Sequence, residues 1–171
     1  MNFIIETERL FLRKLVQTDF ADLCEMLQDI DVMYAWEHAF SDAQAQEWLD
    51  CQLERYEERG VGYWAAIEKE SGKMVGQIGL TWSEIDSAKV LEPGYILKKA
   101  YWHKGFALEG AKACVDYAFN KMGINKIYIS IRPENIASLK VAEKLGAKIN
   151  GKHYVYYNDK DMLHLVYIIE K

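Results

Sequence analysis

The sequence predicts an α/β (α+β) domain: a mixed sheet of about seven strands with about four helices distributed over its two faces. Three observations carry this. The chain has 171 residues, half of them hydrophobic and 27% charged, which suits a single domain around one substantial core. Strand-like and helix-periodic segments follow one another in the order β, α, α, β, β, β, α, β, α, β, β. Within that order, a strand, the longest helix and a short β-branched strand succeed each other between Lys89 and Ile131, the pattern of a parallel, right-handed crossover.

Each element has a local cause. Leu10 to Leu15 alternates weakly after the charged run Glu6-Thr7-Glu8-Arg9 and reads as a first strand. Thr18 is the expected N-cap of the first helix, with Asp19 in its first turn; Phe20, Leu23 and Leu27 repeat at helical spacing beyond it. Ser41 and Gln44 make a capping-box pair. The helix they open carries Trp48, Gln52 and Tyr56 on one stripe beside Leu49 and Leu53, and Gly60 stops it after Arg59.

Tyr63 to Glu68, a turn at Ser71-Gly72, and Met74 to Trp82 read as a hairpin. Lys89 to Lys98 is another strand, in which Pro93 has no N–H for a ladder and so marks a bulge or an edge. The long helix, about Ala107 to Met122, has Ala111, Val115, Ala118, Phe119 and Met122 as its apolar stripe. Lys126 to Ile131 is β-branched and stops short of Pro133. A second short helix spans about Asn135 to Leu145, closed by Gly146. Two last strands, Ala147 to Tyr157 and Leu163 to Ile169, meet through Asn158-Asp159-Lys160-Asp161.

Composition narrows the function. A net charge of −5 argues against a nucleic-acid surface, because neutralising phosphates takes a basic face; one local pocket for a small polyphosphate is compatible with it. The three cysteines are far apart and the four histidines scattered, so neither a disulfide framework nor a metal site is expected. No run of about 20 apolar residues and no signal-peptide pattern occurs, so no membrane is expected and the cytoplasm is the default location.

Trp102-His103-Lys104-Gly105-Phe106-Ala107 lies between a strand and the start of the longest helix. Such a turn presents free backbone N–H groups at the positive end of a helix dipole. Gly105 permits a close approach and a positive φ, Lys104 adds a mobile charge, and Ala107 keeps the first turn narrow. The segment can cradle a pyrophosphate. GxxxxGK[ST] and GxGxxG are both missing, which excludes a P-loop or a Rossmann opening here.

Gly94-Tyr95-Ile96-Leu97, Tyr101 to Ala107, Pro133-Glu134-Asn135-Ile136-Ala137-Ser138 and Glu143-Lys144-Leu145-Gly146 together closely resemble the GNAT superfamily of acetyltransferases. The opening Glu6-Thr7-Glu8-Arg9-Leu10 resembles the branch of the ribosomal-protein alanine and serine N-acetyltransferases. The resemblance covers nearly the whole chain. It implies a mostly antiparallel sheet with one splayed parallel strand pair, which holds acetyl-CoA. Ile96 and Leu97 would line the pantetheine arm, Leu97 through its backbone. Residues 102–107 match the Q/R-x-x-G-x-G/A loop that holds the pyrophosphate, and Asn135 matches the asparagine near the pantetheine arm. Relatives form homodimers, so a monomer or a homodimer is expected.

This sequence departs from the family pattern at Trp102, where Gln or Arg is common, at Ala142, where many members carry a proton-donating Tyr, and at Ala147, where Phe is commoner. In the resembled branch a nearby serine substitutes for the tyrosine, here Ser138. The implied reaction is attack of a neutral primary amine on the acetyl thioester. It needs a proton acceptor, since an amine is largely protonated at neutral pH, and a proton donor for the departing thiolate. Ser138 is the candidate donor and Glu92, just before the cofactor-binding segment, the candidate base. Glu84 is a weaker alternative, and Trp36, Glu37 and His38 would shape the acceptor pocket, as the segment between the first two helices does in relatives. The alternative reading is a CoA-binding sensor without transfer activity.

Overall fold

The computed structural model describes residues 3–171. Two short strands, β1 (Ile5–Glu6) and β2 (Leu10–Lys14), open it, and a 3-10 turn over Gln17–Asp19 leads into α1 (Phe20–Leu27). The expected cap at Thr18 is not used. The helix starts directly after Asp19, whose carboxylate accepts the Val16 N–H at 2.9 Å. Arg13 grips the same carboxylate with two bonds, 2.7 and 2.8 Å, a bidentate geometry stronger than a neutral cap.

Helix α2 (Asp42–Arg59) has the predicted capping box: Gln44 N–H donates to Ser41 Oγ at 3.3 Å, and Ser41 N–H to Gln44 Oε1 at 2.9 Å. Then come β3 (Tyr63–Glu68), β4 (Met74–Ile85) and β5 (Ala88–Leu97). Strand β4 runs past the expected end at Trp82. A two-residue turn at Asp86 and Ser87, both with positive φ (49° and 65°), carries it straight into β5 with the twist a hairpin favours. Helix α3 (Phe106–Asn120), β6 (Lys126–Ile131), α4 (Ile136–Lys144), β7 (Lys148–Tyr157) and β8 (Lys160–Glu170) complete the chain.

Where one mixed sheet is expected, two antiparallel ladders occur. One holds β1-β2-β3-β4-β5 in that order, the other β6-β8-β7. The strand number among the described residues is eight rather than seven, because Ile5–Glu6 pairs with Phe11 and Leu12. Strands β5 and β6 lie side by side with no ladder between them. Tyr128 packs on the cluster of Ile85, Val90 and Val166, and Ser130 N–H reaches Glu92 Oε1 at 2.8 Å. Two residues on in each strand, the contact moves in the same direction, so β5 and β6 run parallel there, joined by a side chain rather than by a ladder.

This makes β5 the outer edge of its ladder. Lys98 N–H donates to Val75 C=O at 2.9 Å, so the alternation of an antiparallel pair turns the backbone groups of residues 93, 95 and 97 away from β4. The missing N–H of Pro93 falls on that edge, and the β4–β5 register runs unbroken: the proline marks an edge, not a bulge. Helix α2 covers one face, where Trp48 Nε1 donates to Gln77 Oε1 at 3.0 Å. Helix α3 covers the other, with Trp64 against Tyr117 at 5.9 Å between centroids. Leu10, Leu12, Leu49 and Ile78 are fully buried between the layers, each stabilising the fold by about 1.5–3 kcal/mol. No helix among the described residues is long and apolar enough to cross a membrane.

Candidate active site

Alternation along β5 puts two sets of side chains on opposite sides of the gap between β5 and β6. Glu92, Gly94 and Ile96 face α2; Tyr95 and Leu97 face α3 and α4. On the α2 side, Glu92 Oε1 accepts the Ser130 N–H and Oε2 the Ser83 hydroxyl. Burial pushes the Glu92 carboxyl above its ordinary range, and these two bonds and His153 offset only part of that. The hydroxyl end of Tyr63 lies against the strand at Gly94. A Cβ on Gly94 would stand 2.1 Å from the Tyr63 Oη, so only glycine allows this approach.

On the opposite side, Asn135 caps α4. Its Oδ1 accepts the Ser138 N–H at 3.0 Å and the Tyr34 hydroxyl at 2.5 Å. The Ser138 hydroxyl faces the Tyr95 phenol, whose pKa burial pushes up to about 12 while the serine pulls it back. Ala142 is buried and offers no proton. A carboxylate able to take a proton and a hydroxyl pair able to give one thus flank the same gap.

The loop 102–107 closes one end of it. His103 (φ 60°) and Gly105 (φ 85°) are both left-handed, and Gly105 is the residue before the first turn of α3. Among the described residues, the backbone N–H groups of residues 103–108 donate to no group of the protein. Phe106 is buried and anchors the turn, Ala107 is half-buried behind it, and the Lys104 ammonium stands 5.0 Å from the centre of the Tyr101 ring. Trp102 is turned inward: its indole N–H donates to Leu97 C=O at 3.0 Å. That occupies the outward carbonyl of Leu97 and leaves its outward N–H available. Unpartnered N–H groups at a helix N-terminus fit a diphosphate, and the open edge of β5 fits an extended amide arm.

The three residues named between α1 and α2 have separate roles. Glu37, left-handed at φ 64°, pairs with Lys160 at 2.5 Å and with Arg132 at 3.1 Å; the bond from Lys160, first, and that from Arg132 hold its carboxyl below the usual range. It ties the segment to the β7–β8 hairpin. Trp36 packs edge-on to Trp48 at 6.4 Å, and its carbonyl accepts from Asn158. His38 lines a cleft of about 460 Å³ with Phe40, Trp48, Tyr157 and Glu47. Glu84 is exposed and alternates with Ser83 on β4, so it points away from Glu92. No group of three or more His, Cys, Asp or Glu among the described residues is placed to hold a metal ion.

Tyr34, Ser83, Tyr95 and Ser130 were not singled out in the sequence. Tyr95 was within reach of a strand's period of two, which sets it opposite Glu92. Nothing local marks the others.

Comparison with known proteins shows the domain family and the fold. A family model described as an acetyltransferase (GNAT) domain matches residues 9–148. The uncharacterized protein YkkB of Bacillus subtilis (strain 168) is 36% identical over 141 residues, 82% of each chain. The uncharacterized N-acetyltransferase p20 of Bacillus licheniformis is 30% identical over 164 residues, 95% of this chain and 92% of its own. A crystal structure of an acetyltransferase (GNAT family) from Bacillus anthracis superposes with a TM-score of 0.81 at 25% identity, covering 97% of both chains.

Proposed function

The chain belongs to the GNAT acetyltransferase family and is an acetyl-CoA-dependent N-acetyltransferase, and from that premise we propose that its acceptor is a primary amine, on a small molecule or a protein N-terminus. We further place it with the ribosomal-protein alanine and serine N-acetyltransferases, on the opening Glu6-Thr7-Glu8-Arg9-Leu10 and on a serine, Ser138, standing in for the tyrosine. The observation that carries the catalytic reading is the placement of Glu92 and the Ser138–Tyr95 pair on opposite faces of β5 at one gap.

Acetyl-CoA supplies the acyl group as a thioester. Residues 103–107 hold its diphosphate through backbone N–H groups, with Lys104 near; Ile96, Leu97 and Asn135 line its arm. Glu92, raised in pKa by burial, takes the proton that the incoming ammonium must lose. A backbone N–H on the open edge of β5 near Leu97 faces the place where charge develops on the carbonyl oxygen. Ser138, backed by Tyr95, returns a proton to the departing sulfur. Trp36 and His38 border the amine's approach, held in place by Glu37.

The test is release of free thiol from acetyl-CoA across short peptides, polyamines, free amino acids and aminoglycosides. Amine-dependent release is expected, and its rate order names the acceptor class. Thiol release that no amine accelerates, with CoA still bound, would sink the acceptor reading.

A further inference from the structure

A loop that turns its N–H groups toward a ligand has given up its own hydrogen bonds, and something else must hold it in shape. In this chain the holder comes from the other end of the sequence. Arg9 Nη1 donates to Lys104 C=O at 2.9 Å. Its Nε donates to Glu109 Oε2 at 2.7 Å, and Nη2 lies 2.6 Å from the same oxygen. The guanidinium carbon sits 4.5 Å from the centre of the Phe106 ring. Glu109 is fixed in turn: its Oε1 accepts the Arg9 N–H at 2.8 Å and the Thr7 hydroxyl at 2.6 Å.

Two consequences follow from peptide geometry and charge. In a trans peptide the C=O of one residue and the N–H of the next point in opposite directions. Drawing the Lys104 carbonyl onto Arg9 therefore aims the Gly105 N–H away from Arg9, toward the open side of the loop. Glu109 also lies in the first turn of α3, where its negative charge would repel an anion. Arg9 neutralises it there. Burial would raise the Glu109 carboxyl, but the bonds from Thr7 and Arg9 outweigh burial and keep it ionised.

We propose that Arg9 is the positioning residue of the diphosphate loop, so that the preference for acetyl-CoA over an acetyl thioester lacking the diphosphate depends on it. This rests on the reading of residues 103–107 as the diphosphate cradle. Lysine cannot replace it, because one ammonium cannot span a carbonyl and a carboxylate with a fixed fork.

The experiment compares kcat/KM for acetyl-CoA and for S-acetylpantetheine in wild type, Arg9→Met, Arg9→Lys, Arg9→Met/Glu109→Gln and Gly105→Val. Arg9→Met should raise the KM for acetyl-CoA about tenfold, the scale of one lost charged hydrogen bond, with kcat nearly unchanged and S-acetylpantetheine turnover within about twofold of wild type. Arg9→Lys should not restore the preference. Adding Glu109→Gln should recover part of it by removing the uncompensated charge. Should Arg9→Met fail to fold, Arg9→Lys carries the same comparison. Equal losses with both donors, or an intact preference in the Arg9 variants while Gly105→Val abolishes it, would overturn the role of Arg9 alone. A preference unchanged in Gly105→Val would overturn the cradle itself.

Discussion

The Ser130 N–H donates to Glu92 Oε1 at 2.8 Å, and this bond spans the place where two antiparallel ladders meet without pairing. A backbone donor from β6 is thereby spent on a side chain of β5. The strands stay in register at this point while leaving the gap beyond it free of ladder bonds. The same contact fixes the orientation of the carboxylate proposed as the base.

Replacing Glu92 by Gln should lower kcat by about 10²–10⁴-fold, the usual contribution of a positioned base, and leave the KM for acetyl-CoA unchanged. Its folded-state pKa lies above the ordinary value of 4.5. The protonated form therefore favours folding, a contribution present below 4.5 and lost as pH rises through the folded value. Thermal melts across pH 4–8 should show Glu92→Gln gaining on wild type as pH rises and converging with it at the acid end. A constant difference would refute the raised pKa.

Ser138→Ala should reduce kcat by roughly 10–10²-fold, less than loss of the base because Tyr95 remains, with CoA affinity kept in calorimetry. Since Ser138 faces Tyr95, Tyr95→Phe should not add fully to it. Full additivity in the double variant would mean that the two hydroxyls act apart.

Gly94→Ala puts a methyl 2.1 Å from Tyr63 Oη and 2.6 Å from its Cζ. The ring must move, and it packs on Trp48 at 5.6 Å, so about 1–3 kcal/mol of stability should be lost. The KM for the amine should rise while that for acetyl-CoA holds, because Tyr63 is on the α2 side of β5, where the amine is proposed to approach. Chemical denaturation and two-substrate kinetics measure both effects.

Glu37→Gln should raise the amine KM about threefold at low salt and less at high salt, since exposed ion pairs are screened. The pairs at stake are those with Lys160 and Arg132. An effect on acetyl-CoA instead would place the α1–α2 segment on the wrong substrate.

Cys114 is fully buried, and burial pushes its thiol well above the usual range. It should stay unlabelled by a thiol reagent in the native protein and react only on unfolding. Cys24 and Cys51 are half-buried and serve as the internal reference; labelling of all three at one rate under native conditions would contradict the buried α3 face.

Much of the fold could be read along the chain because its causes are local. The Ser41–Gln44 box, the stripe of α3 and the β6 segment each depend on residues within a few positions, and each appears where periodicity and capping place it. Thr18 does not cap α1 because it sits inside a 3-10 turn that Asp19 closes, held by Arg13 and the Val16 N–H, contacts visible only in the folded geometry. The extra length of β4 depended on a tight turn at two non-glycine residues, which carries a weak signal.

The sequence by itself determined the order of all elements but β1, the start of α2 and, through the glycine before α3, which turn could meet an anion. Tertiary structure alone decided which groups line the gap between β5 and β6. Arg9 and Glu109 are 100 residues apart, Tyr34 and Asn135 are 101 apart, and Glu92 and Ser130 are 38 apart. Hydrogen bonds over such separations carry no periodicity and no short-range propensity. They form because burial of the two helical layers brings distant backbone edges together, where each polar group must find a partner.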